Sequence, residues 1–285
     1  MEYSILELGK LIRRGLEEDI GMGDLTTNSI VPSHALSTGT IIAKEQGVLA
    51  GLPVAAEVFR TLDPAIRFHP LAADGERIER GTLLAELSGK GRAILTGERL
   101  ALNFLQRLSG IASLTAMLVE LVGAEKPYII DTRKTTPGLR MLEKYAVRMG
   151  GGRNHRFGLY DAVMIKDNHI KYAGSIQQAV TAVRRIVPVT AKIEVEVADL
   201  QQLEEALAAK VDIIMLDNMA PEQISEGVRI IDGRALVEAS GGVTVDNIIE
   251  VAKTGVDQIS IGALTHSAKA LDISLDLDEV KTVIC

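Results

Sequence analysis

The sequence predicts an α/β chain in two parts: an α+β sandwich domain over residues 1–108, probed again by 271–285, and an incomplete parallel βα barrel over 109–270. Three observations predict this. First, between Tyr128 and Leu264 one device recurs: a short β-branched or aliphatic run that closes on a charged, hydroxyl or glycine residue and leads into a helix-like stretch. The runs are Tyr128–Asp131, Ala162–Lys166, Lys192–Val197, Asp212–Asp217, Ala235–Ser240 and Asp257–Gly262. Near-continuous apolar runs suit parallel strands covered on both faces, and six of them in series fall short of the eight of a closed barrel. Second, the first half lacks this device and shows short strands broken by turn residues. Third, the 285 residues exceed the roughly 250 of a complete barrel, although the barrel pattern fills only the second half.

The elements follow in order. Ile5, Leu8, Leu11, Ile12 and Leu16 recur at helical spacing and predict an amphipathic helix over 4–18 that ends before Gly21. Residues 38–50 and 66–87 read as short strands, with Asp74-Gly75 and Arg80-Gly81 as turns and a helix over Leu52–Leu62 between them. Ala93–Val122 has no proline and keeps a helical apolar period, so it predicts a long helix with a break at Gly110 and the domain junction near Ser109. Thr136-Pro137 is expected to open a helix that Gly150-Gly151-Gly152 closes. Ser175, Asp199 and Thr244 are expected N-caps, Pro221 a first-turn proline and Gly255 a stop. Ile273–Leu277 is expected to return to the first domain's sheet.

Composition excludes several classes. Hydrophobic residues make up 47% of the chain and the mean hydropathy is slightly positive. No window approaches the roughly 18 uncharged apolar residues of a membrane span, and Met-Glu-Tyr-Ser lacks the basic flank of a signal peptide, so a cytoplasmic protein without a membrane partner is expected. Cys285 is the sole cysteine, which leaves no disulfide framework or cysteine zinc site. With no Trp and a net charge of −7, no nucleic-acid surface is expected. The charge is unevenly spread. Asp131–Arg156 holds seven Arg or Lys against two acids, a net +5, which leaves −12 for the rest. A basic cleft in an acidic protein implies an anionic ligand. Arg140, Lys144 and Arg148, four apart, share a helix face and equally fit a solvated basic surface.

Active sites of such barrels are built at the C-terminal strand ends, so Arg133, Lys134, Lys166, Glu196, Asp217, Ser240 and Gly262 are the first candidates. His155 and Arg156 flank the glycine run beside them. Ser240-Gly241-Gly242 and Ile261-Gly262-Ala263 follow late strands, where glycine lets backbone N–H groups approach a phosphate and a helix N-terminus adds its positive end. Glu196 and Asp217 close adjacent strands; they fit Mg²⁺, ribose hydroxyls or a developing positive charge, or else structural pairs with Lys166 or Lys134. His169 fits a ligand or a loop brace. His34, His69 and His266 have no companions that argue for a role. The phosphate-loop, dinucleotide, zinc-protease and nucleophile-elbow motifs are absent from the sequence.

Asp131–Arg140, Glu143–Arg148, Gly150–Asp161, Ile165–His169, Glu194–Glu196, Leu216–Asn218 and Glu238–Gly242 together resemble the quinolinate phosphoribosyltransferase family, as do Asp19–Thr27 and Glu98–Asn103. The resemblance runs end to end. It implies transfer of 5-phosphoribosyl from phosphoribosyl pyrophosphate to the nitrogen of quinolinate, with loss of pyrophosphate and CO₂, giving nicotinate mononucleotide for NAD synthesis. It implies a homodimer in which each N-terminal domain covers the partner's barrel. Carried over, Arg133, His155, Arg156 and Lys166 grip the quinolinate carboxylates, with Arg99 from the partner. Lys134, Glu196, Asp217, Ser240, Gly241, Gly242, Gly262 and Ala263 hold phosphoribosyl pyrophosphate, with Mg²⁺ on Glu196 and Asp217, and Lys134, Glu196 and Asp217 act in catalysis. Two alternatives stay open: a paralogue of this scaffold with another anionic acceptor, as in similar proteins associated with molybdate transport genes, and a non-catalytic phosphate-metabolite binding barrel.

Overall fold

The computed structural model describes residues 5–123 and 126–278; Cys285, and the part of the expected return segment beyond Asp278, lie outside the described residues. The chain divides into two compact units. One draws on Met1–Leu114, Thr136–Gly151 and Ser267–Cys285, the other on Thr115–Thr135 and Gly152–His266.

In chain order the elements are α1 (Ile5–Ile20), α2 (Leu25–Ile30), β1 (Leu36–Ala43), β2 (Gly47–Val48), α3 (Leu52–Leu62), β3 (Arg67–Pro70), β4 (Arg77–Ile78), β5 (Leu83–Lys90) and α4 (Gly91–Val122). Then follow β6 (Tyr128–Ile130), α5 (Arg140–Met149), β7 (Val163–Ile165), α6 (Asp167–Ala173), α7 (Ile176–Arg184), β8 (Ile193–Val197), α8 (Leu200–Ala208), β9 (Ile213–Asp217) and α9 (Pro221–Ile231). The series closes with β10 (Leu236–Ser240), α10 (Ile248–Ala252), β11 (Gln258–Ser260), α11 (Ala263–His266) and β12 (Ile273–Leu277).

The first unit carries a four-stranded antiparallel sheet in the order β12-β1-β5-β3. The return of the chain is seen in the pairing of Ile273 with Ala43 and of Leu277 with Gly39. Helix α4 is long and apolar enough to cross a bilayer by length and composition. Its residues Ile94, Ala101, Leu105 and Leu108 are nevertheless buried, which makes this part of it a core helix of the unit. The expected break at Gly110 is absent, since α4 runs through it. A Cβ there would lie 2.0 Å from the Lys269 carbonyl oxygen, so this glycine serves close backbone approach rather than a kink.

Helix α5 packs with this unit although it follows the first barrel strand in sequence. Glu143 is fully buried and accepts from Arg107 Nη2 at 2.9 Å and from the Thr136 N–H at 3.0 Å. Tyr145 donates to Asp74 at 2.6 Å, and Asp74 in turn caps the N-terminus of α3. A solvated basic face is therefore corrected: Lys144 is buried, and Arg140 and Arg148 are half-buried. The helix also starts later than Thr136-Pro137, at Arg140, because Gly138 has a φ of +83° that no helix accommodates.

The second unit holds a six-stranded sheet in the order β6-β11-β10-β9-β8-β7, with every pair parallel. Its two edges are the first and second strands in sequence, which is the order of a βα barrel opened between them. Ile130 bridges Arg153 on the free side of β6. The alternation in β8 explains its sequence: Ile193, Val195 and Val197 are buried on one face, while Glu194 and Glu196 share the other. Ser175 and Asp199 cap α7 and α8 as expected, Pro221 opens α9, and Gly255 turns with a φ of +90°. Thr244 is not a cap. Asn247 precedes α10, and its Oδ1 accepts the Thr244 N–H at 2.8 Å, closing a turn before the helix begins.

Candidate active site

The C-terminal strand ends of the second unit gather most of the predicted residues. Register places Asp217 beside Ser240, and Ser240 beside Ser260, on one face of the sheet. Lys166, just past β7, forms an ion pair with Glu196 of β8, both side chains being partly buried. His169 accepts the Lys166 backbone N–H on Nδ1 at 2.9 Å, so it braces the strand end.

Past β9, Asn218 takes a φ of +54°, rare for a residue with a side chain, and its amide donates to Asp217 Oδ2 at 2.8 Å. Its backbone N–H donates to the Ser240 carbonyl at 2.9 Å. Gly241 and Gly242 then turn with positive φ, leaving backbone groups at the sheet end. No helix starts directly after them, since α10 begins at Ile248; the expected aid of a helix N-terminus is missing there, whereas the four-residue α11 does follow Gly262 directly.

Lys134 reaches the same end from the β6 loop. The Thr265 hydroxyl donates to its carbonyl oxygen at 2.8 Å, and Lys134 Cδ would lie 3.0 Å from a Cβ on Gly262. His266 Nε2 would lie 3.2 Å from that same Cβ. His266 is thus a neighbour of the Lys134–Gly262 pair, a companionship hidden in the sequence, where 132 positions separate it from Lys134. Ala263 follows at the start of α11. Arg99 lies on α4 in the first unit and is exposed.

A second group lies deeper in the same sheet. Asp131, fully buried at the end of β6, accepts the His155 backbone N–H at 2.9 Å and the Asn154 side-chain amide at 2.6 Å. These bonds pin the segment that carries His155 and Arg156. The Arg156 N–H donates to His155 Nδ1 at 2.7 Å, and the Arg156 guanidinium donates to the Ala162 carbonyl at 3.2 Å. Burial, and then the like charge of Arg133, lower the Arg156 pKa, with Glu194 and Asp161 opposing. His155 Nε2 lies 3.0 Å from Glu194 Oε2 and 3.7 Å from Glu238 Oε2.

Ligand atoms of His155, Glu194 and Glu238 all fall within 4.8 Å of one another. They come from beside β6 and from β8 and β10, so the sheet must curl for them to meet. Such a layer from alternate strands is how barrel interiors are filled. Burial, and then the charge of Glu194, push the Glu238 carboxyl up to about 7, against the pull of His155, Ser260 and Gln258. A cavity of about 280 Å³ borders this group, lined in part by Asn154, His155, Arg156, Lys192 and Glu194.

Sequence reasoning passed over Glu194 and Glu238 as site residues because both sit inside strands rather than at their ends. The signal was the alternation Ile-Glu-Val-Glu-Val, in which two acids share one face.

Comparison with known proteins agrees with this architecture. Residues 24–109 match the family model "Quinolinate phosphoribosyl transferase, N-terminal domain", and residues 111–276 match its C-terminal counterpart. The chain is 47% identical over 272 residues to a probable nicotinate-nucleotide pyrophosphorylase [carboxylating] of Bacillus subtilis, covering 95% of this chain and 94% of that one. It is 40% identical over 291 residues to quinolinate phosphoribosyltransferase [decarboxylating] 1b of Nicotiana tabacum, covering 95% and 83%. The crystal structure of NadC from Streptococcus pyogenes superposes with a TM-score of 0.94 at 46% identity, covering 98% of this chain and 99% of that one. With a two-domain family match along its length and a sheet order to go with it, the chain belongs to the quinolinate phosphoribosyl transferase family.

Proposed function

We propose that this protein transfers 5-phosphoribosyl from phosphoribosyl pyrophosphate to quinolinate, releasing pyrophosphate and CO₂ and forming nicotinate mononucleotide. One observation carries the reading: cations (Lys134, Lys166), carboxylates (Glu196, Asp217) and glycine-rich turns (Gly241, Gly242, Gly262) lie together at the C-terminal ends of one parallel sheet. Family membership supports it.

In this reading Arg133, Arg156 and Lys166, with His155 beside them, receive the two carboxylates of a planar acceptor, for which guanidinium forks are suited. Lys134 and the backbone of Ser240–Gly242, Gly262 and Ala263 hold the phosphates. Glu196 and Asp217 face the ribose, and their charge favours the oxocarbenium-like sugar as the ring nitrogen attacks. The quaternised nitrogen then accepts the electron pair left at the adjacent carbon as CO₂ departs. The same two carboxylates offer the hard oxygen donors that Mg²⁺ prefers, although Lys166 holds Glu196 in the free protein. Mg²⁺ bound there would offset the charge of the departing pyrophosphate.

We place the protein in the cytoplasm as a homodimer, with Arg99 completing the partner's acceptor site. Its exposure on α4 leaves it available for that role. Purified protein given quinolinate, phosphoribosyl pyrophosphate and Mg²⁺ should yield CO₂, pyrophosphate and nicotinate mononucleotide. Turnover of a different anionic acceptor, or binding without pyrophosphate release, would overturn the reading.

A further inference from the structure

Two buried carboxylates have no part in that chemistry. Glu194 and Glu238 are 3% and 0% exposed, and burying two such groups side by side opposes folding unless something nearby repays it. What they face is the acceptor group. His155 Nε2 lies between them, and its Nδ1 already accepts the Arg156 N–H. An Nδ1 that accepts carries no proton, so the ring proton sits on Nε2 and points at the carboxylates.

Asp131 fixes the backbone of the same segment, leaving the ring little freedom to turn. Glu194 also attracts the Arg156 guanidinium, which Arg133 repels. Gln258 Nε2 donates to Glu238 Oε2 at 2.5 Å and holds that carboxylate in place from β11.

We infer that Glu194 and Glu238 are positioning residues of the acceptor site: they lock His155 in its Nε2–H form and supply the negative charge that seats Arg156 beside Arg133. They act through His155 and Arg156 and touch no reacting atom. The inference rests on the acceptor reading given above. Its chemistry is general: two guanidinium groups set close enough for a planar dicarboxylate repel each other, and a buried anion behind one of them keeps the pair assembled when the site is empty.

The test uses the full-length protein with Glu194→Gln and Glu238→Gln, each checked for folding by thermal melt. The expected result is an acceptor KM raised about tenfold in both, on the scale of one charged contact, with the phosphoribosyl pyrophosphate KM and kcat within about twofold. Nitrogen-15 NMR of the imidazoles, with His155 assigned by His155→Gln, should show the proton on Nε2 in the parent protein and mixed tautomers in Glu194→Ala. A folded Glu194→Gln protein with an unchanged acceptor KM overturns the inference, as does a parent His155 protonated on Nδ1. So does a His155 signal that a chelator shifts, which would reassign the three groups to a bound cation. If the parent protein fails to use quinolinate, the functional reading falls, while the NMR measurement still decides the state of His155.

Discussion

Asn218 and Gly241 are locked against each other: a Cβ on Gly241 would lie 2.2 Å from Asn218 Oδ1, and Gly241 itself holds a φ of +88°. Asn218 also orients Asp217, so the ribose-facing carboxylate and the glycine turn are set by one contact. Gly241→Ala should therefore cost about 1–2 kcal/mol in backbone strain alone, lower the melting temperature by several degrees and raise the phosphoribosyl pyrophosphate KM at least tenfold. Acceptor binding, measured by titration with quinolinate, should change little.

Acceptor choice follows from the cations around the ring site. Nicotinate lacks the 2-carboxylate and would leave buried positive charge without its partner, at a cost of about 3–5 kcal/mol. Its turnover should be at least a hundredfold below that of quinolinate. Comparable rates in a parallel assay would remove the acceptor assignment.

Asp217→Asn keeps the side-chain volume and removes the charge. We expect kcat to fall roughly a hundredfold or more while quinolinate affinity stays near that of the parent protein. Lost quinolinate affinity with normal turnover at saturation would exchange the roles of the two groups.

The raised Glu238 carboxyl predicts a pH trend in stability. Its folded value of about 7 exceeds the ordinary 4.5, so between these values the folded protein holds a proton that the unfolded chain has released. This group's contribution to stability thus falls as pH rises from about 4.5 to about 7. Glu238→Gln removes that contribution, so the difference between its melting temperature and the parent's should move in the variant's favour from pH 5 to pH 8. A pH-independent difference would count against the titration.

Sharing of the site between subunits can be tested by mixing. Arg99→Ala and Lys134→Ala proteins should each be nearly inactive, and subunit exchange should restore activity, because a heterodimer has one site with both residues intact. If exchange is demonstrated by mass and the mixture stays inactive, Arg99 does not act across the dimer.

The six barrel strands, α1, α3 and the return of β12 were legible in the sequence because each rests on local periodicity: apolar runs of strand length, helical spacing, and turn residues between them. The strand-end residues were legible for the same reason, since a polar residue closing a buried run marks the solvent-facing rim. Where the local signal was ambiguous, packing decided. Gly110 looks like a helix break but sits under the Lys269 carbonyl, and the basic face of α5 looks solvated but includes the buried Lys144.

The sequence by itself determined the order of elements, the acidic chain with a basic segment, and the cations and carboxylates at the sheet's rim. Only the tertiary structure decided which interior residues meet. His155, Glu194 and Glu238 are separated by 39 and 44 positions, and no local pattern joins them. They converge because β8 and β10 are two strands apart in a curled sheet, so that alternate strands point side chains into a shared layer. His266 comes beside Lys134 and Gly262 for a related reason: β11 pairs with β6, joining the two ends of the barrel sequence in space.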